Sequence, residues 1–384
     1  MGLYFLIQDL LTRPAVGVGA RLLLLPLTAA GWLYGRVGGL RRWAYRRGVL
    51  QAFRAPVPVI SVGNVTAGGT GKTPCVEAVC RILLEAGLKP AVLSRGYGGR
   101  IPGPWAAVSD GETVLLPPEQ AGDEPVLLAR RLPGVAVLVG RDRRTTAREA
   151  VARYGAEVLV LDDGFQHLRL ARDLDIVAVD VTNPWGNGHC LPRGLLRERP
   201  AALADAGLVL LTRTGRVDAR RIDAVSGAVR RWNRRSPMLP STHTPASLVD
   251  LAGGPPRPVT DLAGWKVLAF AGIANPAAFF QDLEALGARV VEAIPFPDHH
   301  PYTAADVQKL TEWAGLVHAQ AAVTTEKDGV RLVPFLPQPL PILALGIELR
   351  VREGEEVFRA RVLEAAGRPA RGAEGVQAPT EGSA

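Results

Sequence analysis

The chain has 384 residues, and a single hydrophobic core seldom grows past about 250–300 residues, so two packed domains plus extensions are expected. A formal net charge of +8 favours anionic partners: nucleic acid, phosphorylated metabolites or acidic lipid. Three cysteines, Cys75, Cys80 and Cys190, form no CxxC pair and no ligand cluster, which excludes a structural zinc site and a disulfide framework and reads as reduced thiols.

Residues 1–55 carry eight arginines and one acid, Asp9. An uncharged run, Leu22 to Gly35, lies between Arg21 and Arg36. It falls short of the roughly 20 apolar residues that a spanning helix needs. Trp32, Tyr34, Trp43 and Tyr45 interleave with Arg36, Arg41, Arg42, Arg46 and Arg47. That mixture predicts a helix lying at a membrane interface, with rings at headgroup depth and arginines on an anionic lipid surface. The apolar block precedes the charges and no nucleic-acid motif follows, so nucleic acid is not the expected partner.

Further along, Pro56–Val62, Pro90–Ser94, Ala136–Val139, Val158–Leu161, Ile176–Val179 and Leu208–Leu211 read as buried strands. Helical stretches such as Pro74–Gly87 and Arg144–Tyr154 lie between some of them, which predicts a mostly parallel α/β sheet covered on both faces. Ser236–Gly264 is rich in Pro, Gly, Ser and Thr and reads as a hinge or linker. A second unit then begins: Lys266–Phe270, Arg289–Ile294 and Ala321–Thr324 as strands, Pro276–Leu286 and Ala304–Gly315 as helices. The expected division is an interfacial segment 1–55, a larger α/β core 56–240, a linker 241–264, a smaller α/β domain 265–352 and a largely disordered tail 353–384.

The first strand runs into Gly63-Asn-Val-Thr-Ala-Gly-Gly-Thr-Gly-Lys-Thr73, and the following helix opens at the end of that run. Strand, glycine-rich turn and helix N-terminus form the context a phosphate-binding loop requires. Residues Thr66, Ala67, Gly68, Gly69, Thr70, Gly71, Lys72 and Thr73 are therefore the candidate ATP cradle. Lys72 reaches the β- and γ-phosphates and Thr73 ligates Mg²⁺ in this reading. The usual first glycine is replaced by Thr66, with Gly68 and Gly69 supplying the permissive backbone. Val158-Leu-Val-Leu-Asp162-Asp163 is an apolar strand ending in two carboxylates, a Walker-B arrangement for Mg²⁺.

With Ser94-Arg-Gly-Tyr-Gly98, Gly122-Asp-Glu-Pro125, Asp162-Asp-Gly-Phe-Gln-His167, Leu191-Pro-Arg-Gly-Leu-Leu-Arg-Glu198, Phe296-Pro-Asp-His299 and Thr325-Glu-Lys-Asp328, the chain resembles the tetraacyldisaccharide 4′-kinase (lipid A 4′-kinase) family over roughly residues 20–330. The resemblance implies transfer of the ATP γ-phosphate to the 4′-hydroxyl of tetraacyldisaccharide 1-phosphate, with Mg²⁺, at the cytoplasmic face of the inner membrane. It implies Asp123 as catalytic base, paired with His299 rather than His300 from the second domain. Lys72 joins them on the γ-phosphate. Asn64, Arg95, Tyr97, Glu124, His167 and Arg197 are expected on the acceptor or nucleotide. Gln166 and Glu198 are expected beside Thr73, Asp162 and Asp163 at the metal. Lys327 and Asp328 read as nucleotide-side or hinge residues; Arg141, Arg143 and Arg144 read as a 1-phosphate contact or a solvated basic face. No obligate protein partner is expected.

The rival is a membrane-associated P-loop GTPase or ATPase acting as a switch or metallochaperone. A guanine reader shows Asn-Lys-x-Asp after a late strand, where this chain has Leu211-Thr-Arg-Thr-Gly215. A metallochaperone wants a Cys/His cluster, which the sequence lacks.

Overall fold

A computed structural model describes residues 17–368. In chain order the helices are α1 (Val18–Leu23), α2 (Leu25–Arg46), α3 (Lys72–Glu85), α4 (Pro118–Ala121), α5 (Asp123–Arg131), α6 (Arg143–Tyr154), α7 (Ala219–Arg230), α8 (Pro276–Ala285), α9 (Ala304–Leu316), α10 (Glu326–Leu332) and α11 (Glu355–Ala365). The strands are β1 (Val59–Asn64), β2 (Pro90–Ser94), β3 (Trp105–Ser109), β4 (Ala136–Gly140), β5 (Val158–Asp162), β6 (Leu174–Asp180), β7 (Leu208–Thr212), β8 (Met238–Asp250), β9 (Lys266–Ala271), β10 (Arg289–Pro295), β11 (Ala321–Thr325) and β12 (Ile342–Val351). They form one twelve-stranded sheet in the order β10-β9-β11-β12-β8-β7-β6-β1-β5-β2-β4-β3.

Every residue of β1, β2, β4, β5 and β7 is buried, as expected of parallel strands covered on both faces. Three apolar clusters fill the first lobe, and two, around Phe279 and around Phe270, fill the second. Pairing is parallel except at β3/β4 and β8/β12.

The stretch 241–264, expected as a linker, is strand as far as Asp250. Strand β8 pairs in parallel with β7 through Met238–Pro240, then antiparallel with β12 from Ser241 to Asp250. The Thr- and Val-containing run supplies enough β-branched surface, and Pro245 falls at the register shift opposite Ile347, where a missing N–H is tolerated. This pairing has a geometric consequence. Because β12 opposes β8 while β8 follows β7, the second lobe points the carboxyl ends of its parallel strands back toward those of the first. Ligand clefts of α/β sheets lie at carboxyl ends, and here two such edges face each other.

Two further expectations change. The tail reading of 353–384 gives way at α11, whose Phe358 and Val362 are buried in the same cluster as Val76 and Leu83 of α3; residues 369–384 lie outside the described residues. Of the N-terminal segment, residues 1–16 lie outside the described residues, and Leu25–Arg46 is a 22-residue helix. Among the described residues, no helix is long and apolar enough to cross a membrane.

Candidate active site

The glycine-rich loop leaves β1 and enters α3 through Gly71, which sits at φ +82°. A β-carbon at Gly71 would also lie 1.9 Å from Cε1 of His243 on β8, so both backbone and packing require glycine. Asn64, expected on substrate, is instead fully buried, and its Nδ2 donates to Thr70 Oγ1 at 2.8 Å. Thr212 Oγ1 donates to the Thr70 carbonyl at 3.1 Å, and Arg213 Nη2 donates to the Gly69 carbonyl at 2.7 Å. Arg213, itself paired with Asp180, occupies the stretch where a guanine-reading motif would stand. Here that stretch braces the loop backbone. Thr66 is buried, while Gly68 and Gly69 face solvent and Ala67, Lys72 and Thr73 are half-buried.

His243 closes the loop from behind. Burial, then the Arg213 charge, holds its imidazole down at about 4, and its Nε2 is buried without a partner. An imidazole whose folded pKa lies below its unfolded value of about 6.5 stabilises the fold fully above that pH. The contribution is lost as pH falls from 6.5 toward 4, because the unfolded chain takes the proton first. Urea unfolding across that window should therefore cost the wild type up to about 3 kcal/mol more than His243→Gln. A constant gap between the two proteins would show that His243 is not held neutral in the fold.

The ends of β1, β2 and β5 stand side by side, which brings Ser94 and Asp162 to the loop. Ser94 Oγ donates to Asp162 Oδ2 at 2.9 Å, and Asp162 Oδ1 has no partner. Burial raises the Asp162 carboxyl, Glu124 and Asp163 add to the rise, and Ser94 and Lys72 oppose it. Asp163, at φ +52°, lies 3.6 Å from Lys72 Nζ through Oδ1 and 2.5 Å from Arg197 Nη1 through Oδ2. Burial pushes its carboxyl up, but Lys72 and Arg197 outweigh burial and hold it below the ordinary range. Arg143 is buried beside both acids, not on a solvated face, and burial lowers its guanidinium. Arg144 is paired with its helix cap, Asp142, at 2.6 Å.

Two metal expectations are corrected. Both Glu198 oxygens are taken by Arg42, at 2.5 and 3.3 Å, in a buried pair. Gln166 Nε2 donates to the Asn64 carbonyl at 2.8 Å and to Glu198 at 3.2 Å. These side chains tie α2 to the core. Among the described residues no group of three His, Cys, Asp or Glu could hold a metal. Mg²⁺ keeps several waters and takes one or two carboxylates, and the unpartnered Asp162 Oδ1, with Asp163 next in the chain and Thr73 at the start of α3, fits it. His167 stands apart, its Nε2 buried without a partner and its ring held down to about 4 by burial and Arg143.

The second centre spans the lobes. Asp123 opens α5 after Gly122, at φ +90°, and its Oδ2 lies 3.0 Å from His299 Nδ1 and 3.4 Å from Arg331 Nε. His299 Nε2 is 3.2 Å from Lys327 Nζ, which lies 3.2 Å from Glu124 Oε1. The His299 backbone sits at φ +58°, a region costing of order 1 kcal/mol for a non-glycine residue, and is pinned by its N–H donating to the Gly272 carbonyl at 3.1 Å. Asp328 is fully buried, bonded to Thr325, Gly272 and Arg331. His300 instead meets Asp306 at 3.3 Å. Tyr97 is 76% exposed, its ring 6.3 Å from that of His299, and Arg95 is exposed beside it. Arg331 is a site residue that the sequence reading missed; its only signal was the i+3 spacing from Asp328. Glu124, acting on both Asp162 and Lys327, links the two centres.

A family model described as tetraacyldisaccharide-1-P 4′-kinase matches residues 20–366. The tetraacyldisaccharide 4′-kinase of Syntrophus aciditrophicus is 47% identical over 341 residues, covering 86% of this chain and 90% of that protein. That of Anaeromyxobacter dehalogenans is 48% identical over 343 residues, covering 89% of each. A crystal structure of LpxK from Aquifex aeolicus in complex with ATP matches with a TM-score of 0.72 at 28% identity, covering 90% of this chain and 99% of that one.

Proposed function

The chain belongs to the tetraacyldisaccharide-1-P 4′-kinase family, and from that premise we propose how its residues divide the work of phosphorylating a membrane-borne acceptor. Its activity is ATP-dependent transfer of a phosphoryl group to the 4′-hydroxyl of tetraacyldisaccharide 1-phosphate; the switch-type NTPase reading is not favoured.

Phosphoryl transfer asks a protein mainly to position groups and neutralise charge. In our reading the backbone of Thr66–Thr73 and Lys72 hold the triphosphate, with Arg197 beside them. Thr73, Asp162 and Asp163 would hold Mg²⁺, which when bound neutralises charge between the outer phosphates. Asp123 accepts the proton of the acceptor hydroxyl. His299 orients that carboxylate through Nδ1, and Lys327 fixes the far side of the ring. Arg95 and Tyr97, exposed at the rim, contact the acceptor. The observation that carries this reading is the Asp123–His299 contact across the lobes, linked through Glu124 to the Walker-B acid.

The acceptor carries four acyl chains, so the site must work at a lipid surface. The exposed face of α2 and the residues before it displays Leu22, Leu25, Trp32, Leu33, Val37, Leu40 and Trp43. We read this face as peripheral contact with the cytoplasmic leaflet of the inner membrane. The test is transfer of labelled γ-phosphate from Mg-ATP to tetraacyldisaccharide 1-phosphate in detergent micelles. Labelled lipid is the expected product. ATP hydrolysis that is indifferent to acceptor, with no labelled lipid, would overturn the reading.

A further inference from the structure

One charged groove takes no part in the transfer site. It lies along α2, with a volume of about 520 Å³, and is lined by Arg36, Gly39, Trp43 and Arg46 on the helix and by Arg199 and Ala201 opposite. Its charges do not cancel. Arg42 and Arg46, at its base, are paired with Glu198 and Asp205, so those two arginines offset the two acids. Arg36 and Arg199 remain, and among the described residues neither has an acidic partner; Arg36 lies over the Trp32 ring at 4.7 Å. Two uncompensated guanidinium groups thus share one concave site.

The packing of α2 against the core shapes this groove. Gly31 and Gly35 face the core so closely that β-carbons there would fall 2.6 Å from the Cys190 carbonyl oxygen and 2.9 Å from Cys190 Sγ. Arg41, on one flank, donates to the Gln166 carbonyl at 3.4 Å, toward the Walker-B loop. Arg36, Gly39 and Trp43 recur at three- and four-residue spacing on the other flank, facing Arg199 and the 3₁₀ turn Pro200–Asp205. The wall formed by Leu40 and Trp43 is continuous with the exposed apolar face. A ligand seated here would have anionic and apolar parts side by side.

We propose that this groove binds the phosphate of an anionic membrane lipid other than the acceptor, through Arg36 and Arg199, with Trp43 beside its glycerol and acyl region. The inference rests on the membrane reading above. Arginines near an anionic leaflet gain from its negative potential, and a concave pair adds geometry that a flat surface lacks.

Vesicle flotation at physiological ionic strength tests it, using the full chain with phosphatidylcholine alone or mixed with phosphatidylglycerol. The wild type should prefer the anionic vesicles, and Arg36→Gln with Arg199→Gln should lose about tenfold of that preference. Arg257→Gln with Arg289→Gln, a charge-matched pair in the second lobe, should keep it. Gly39→Leu gives a second route: a β-carbon there meets nothing within 4 Å, so the side chain fills the groove on a helix it favours. It should lose the preference with no change of charge, and thermal melting checks that each variant is folded. Equal binding of the wild type to both vesicle types would overturn this proposal while leaving the membrane reading intact. No binding to either would overturn both. Retained preference in the double variant would also overturn it.

Discussion

Asp123→Asn is expected to lower kcat by about 10²–10⁴-fold, the range for removing a positioned general base, with the KM for ATP near the wild-type value. Asparagine keeps the shape of the side chain, can still hydrogen-bond His299 and still lies against Arg331, so the α5 terminus has no reason to move. Arg331 also keeps its 2.8 Å contact with Asp328. What disappears is the capacity to take a proton. The ATP cradle is a different loop, braced by Thr212, Arg213 and His243, none of which touches Asp123. An effect confined to kcat therefore marks an interaction made in the transition state. Steady-state transfer assays with ATP and acceptor varied in turn provide the check. A loss below tenfold, or one carried mainly by the KM for ATP, would remove Asp123 from the role of base.

The phosphate loop and the Walker-B acids were legible in the sequence because their chemistry is local. A strand, a glycine turn and a lysine are contiguous, and two carboxylates end an apolar run. The Asp123–His299 contact joins residues 176 apart; it followed from the family resemblance, since no periodicity links them. Strand β8 was read as linker because composition marks Pro, Gly and Ser as irregular, whereas pairing on both edges decided the matter. Glu198 was misplaced for a similar reason. A carboxylate after Arg197 looks like a metal ligand until a buried cation from elsewhere occupies it, and Arg42 lies 156 residues away. His243 offered no sequence signal, being a lone histidine in a threonine-containing strand.

Arg42→Met is expected to be strongly destabilising. Arg42 is 5% exposed, reaches Glu198 and Asp205 at 2.5 and 2.9 Å, donates to the Phe165 carbonyl at 3.1 Å and covers the Phe165 ring at 4.3 Å. Methionine retains much of the packing over Phe165 but leaves Glu198 buried with only Gln166 as donor. Removing one partner of a buried ion pair typically costs about 3–5 kcal/mol, mostly from the uncompensated charge left behind. For a lobe of this size that corresponds to a fall in melting temperature of roughly 6–20 °C. Because Gly31 and Gly35 hold α2 mainly by close approach, hydrogen exchange across Leu25–Arg46 should accelerate first. Arg42→Met with Glu198→Met should recover part of the loss, since it removes the orphaned charge as well as the pair. Recovery would identify charge burial, rather than lost packing, as what fixes the helix to the kinase core. A double variant as unstable as the sum of its parts would mean that packing around Phe165 does the fixing instead.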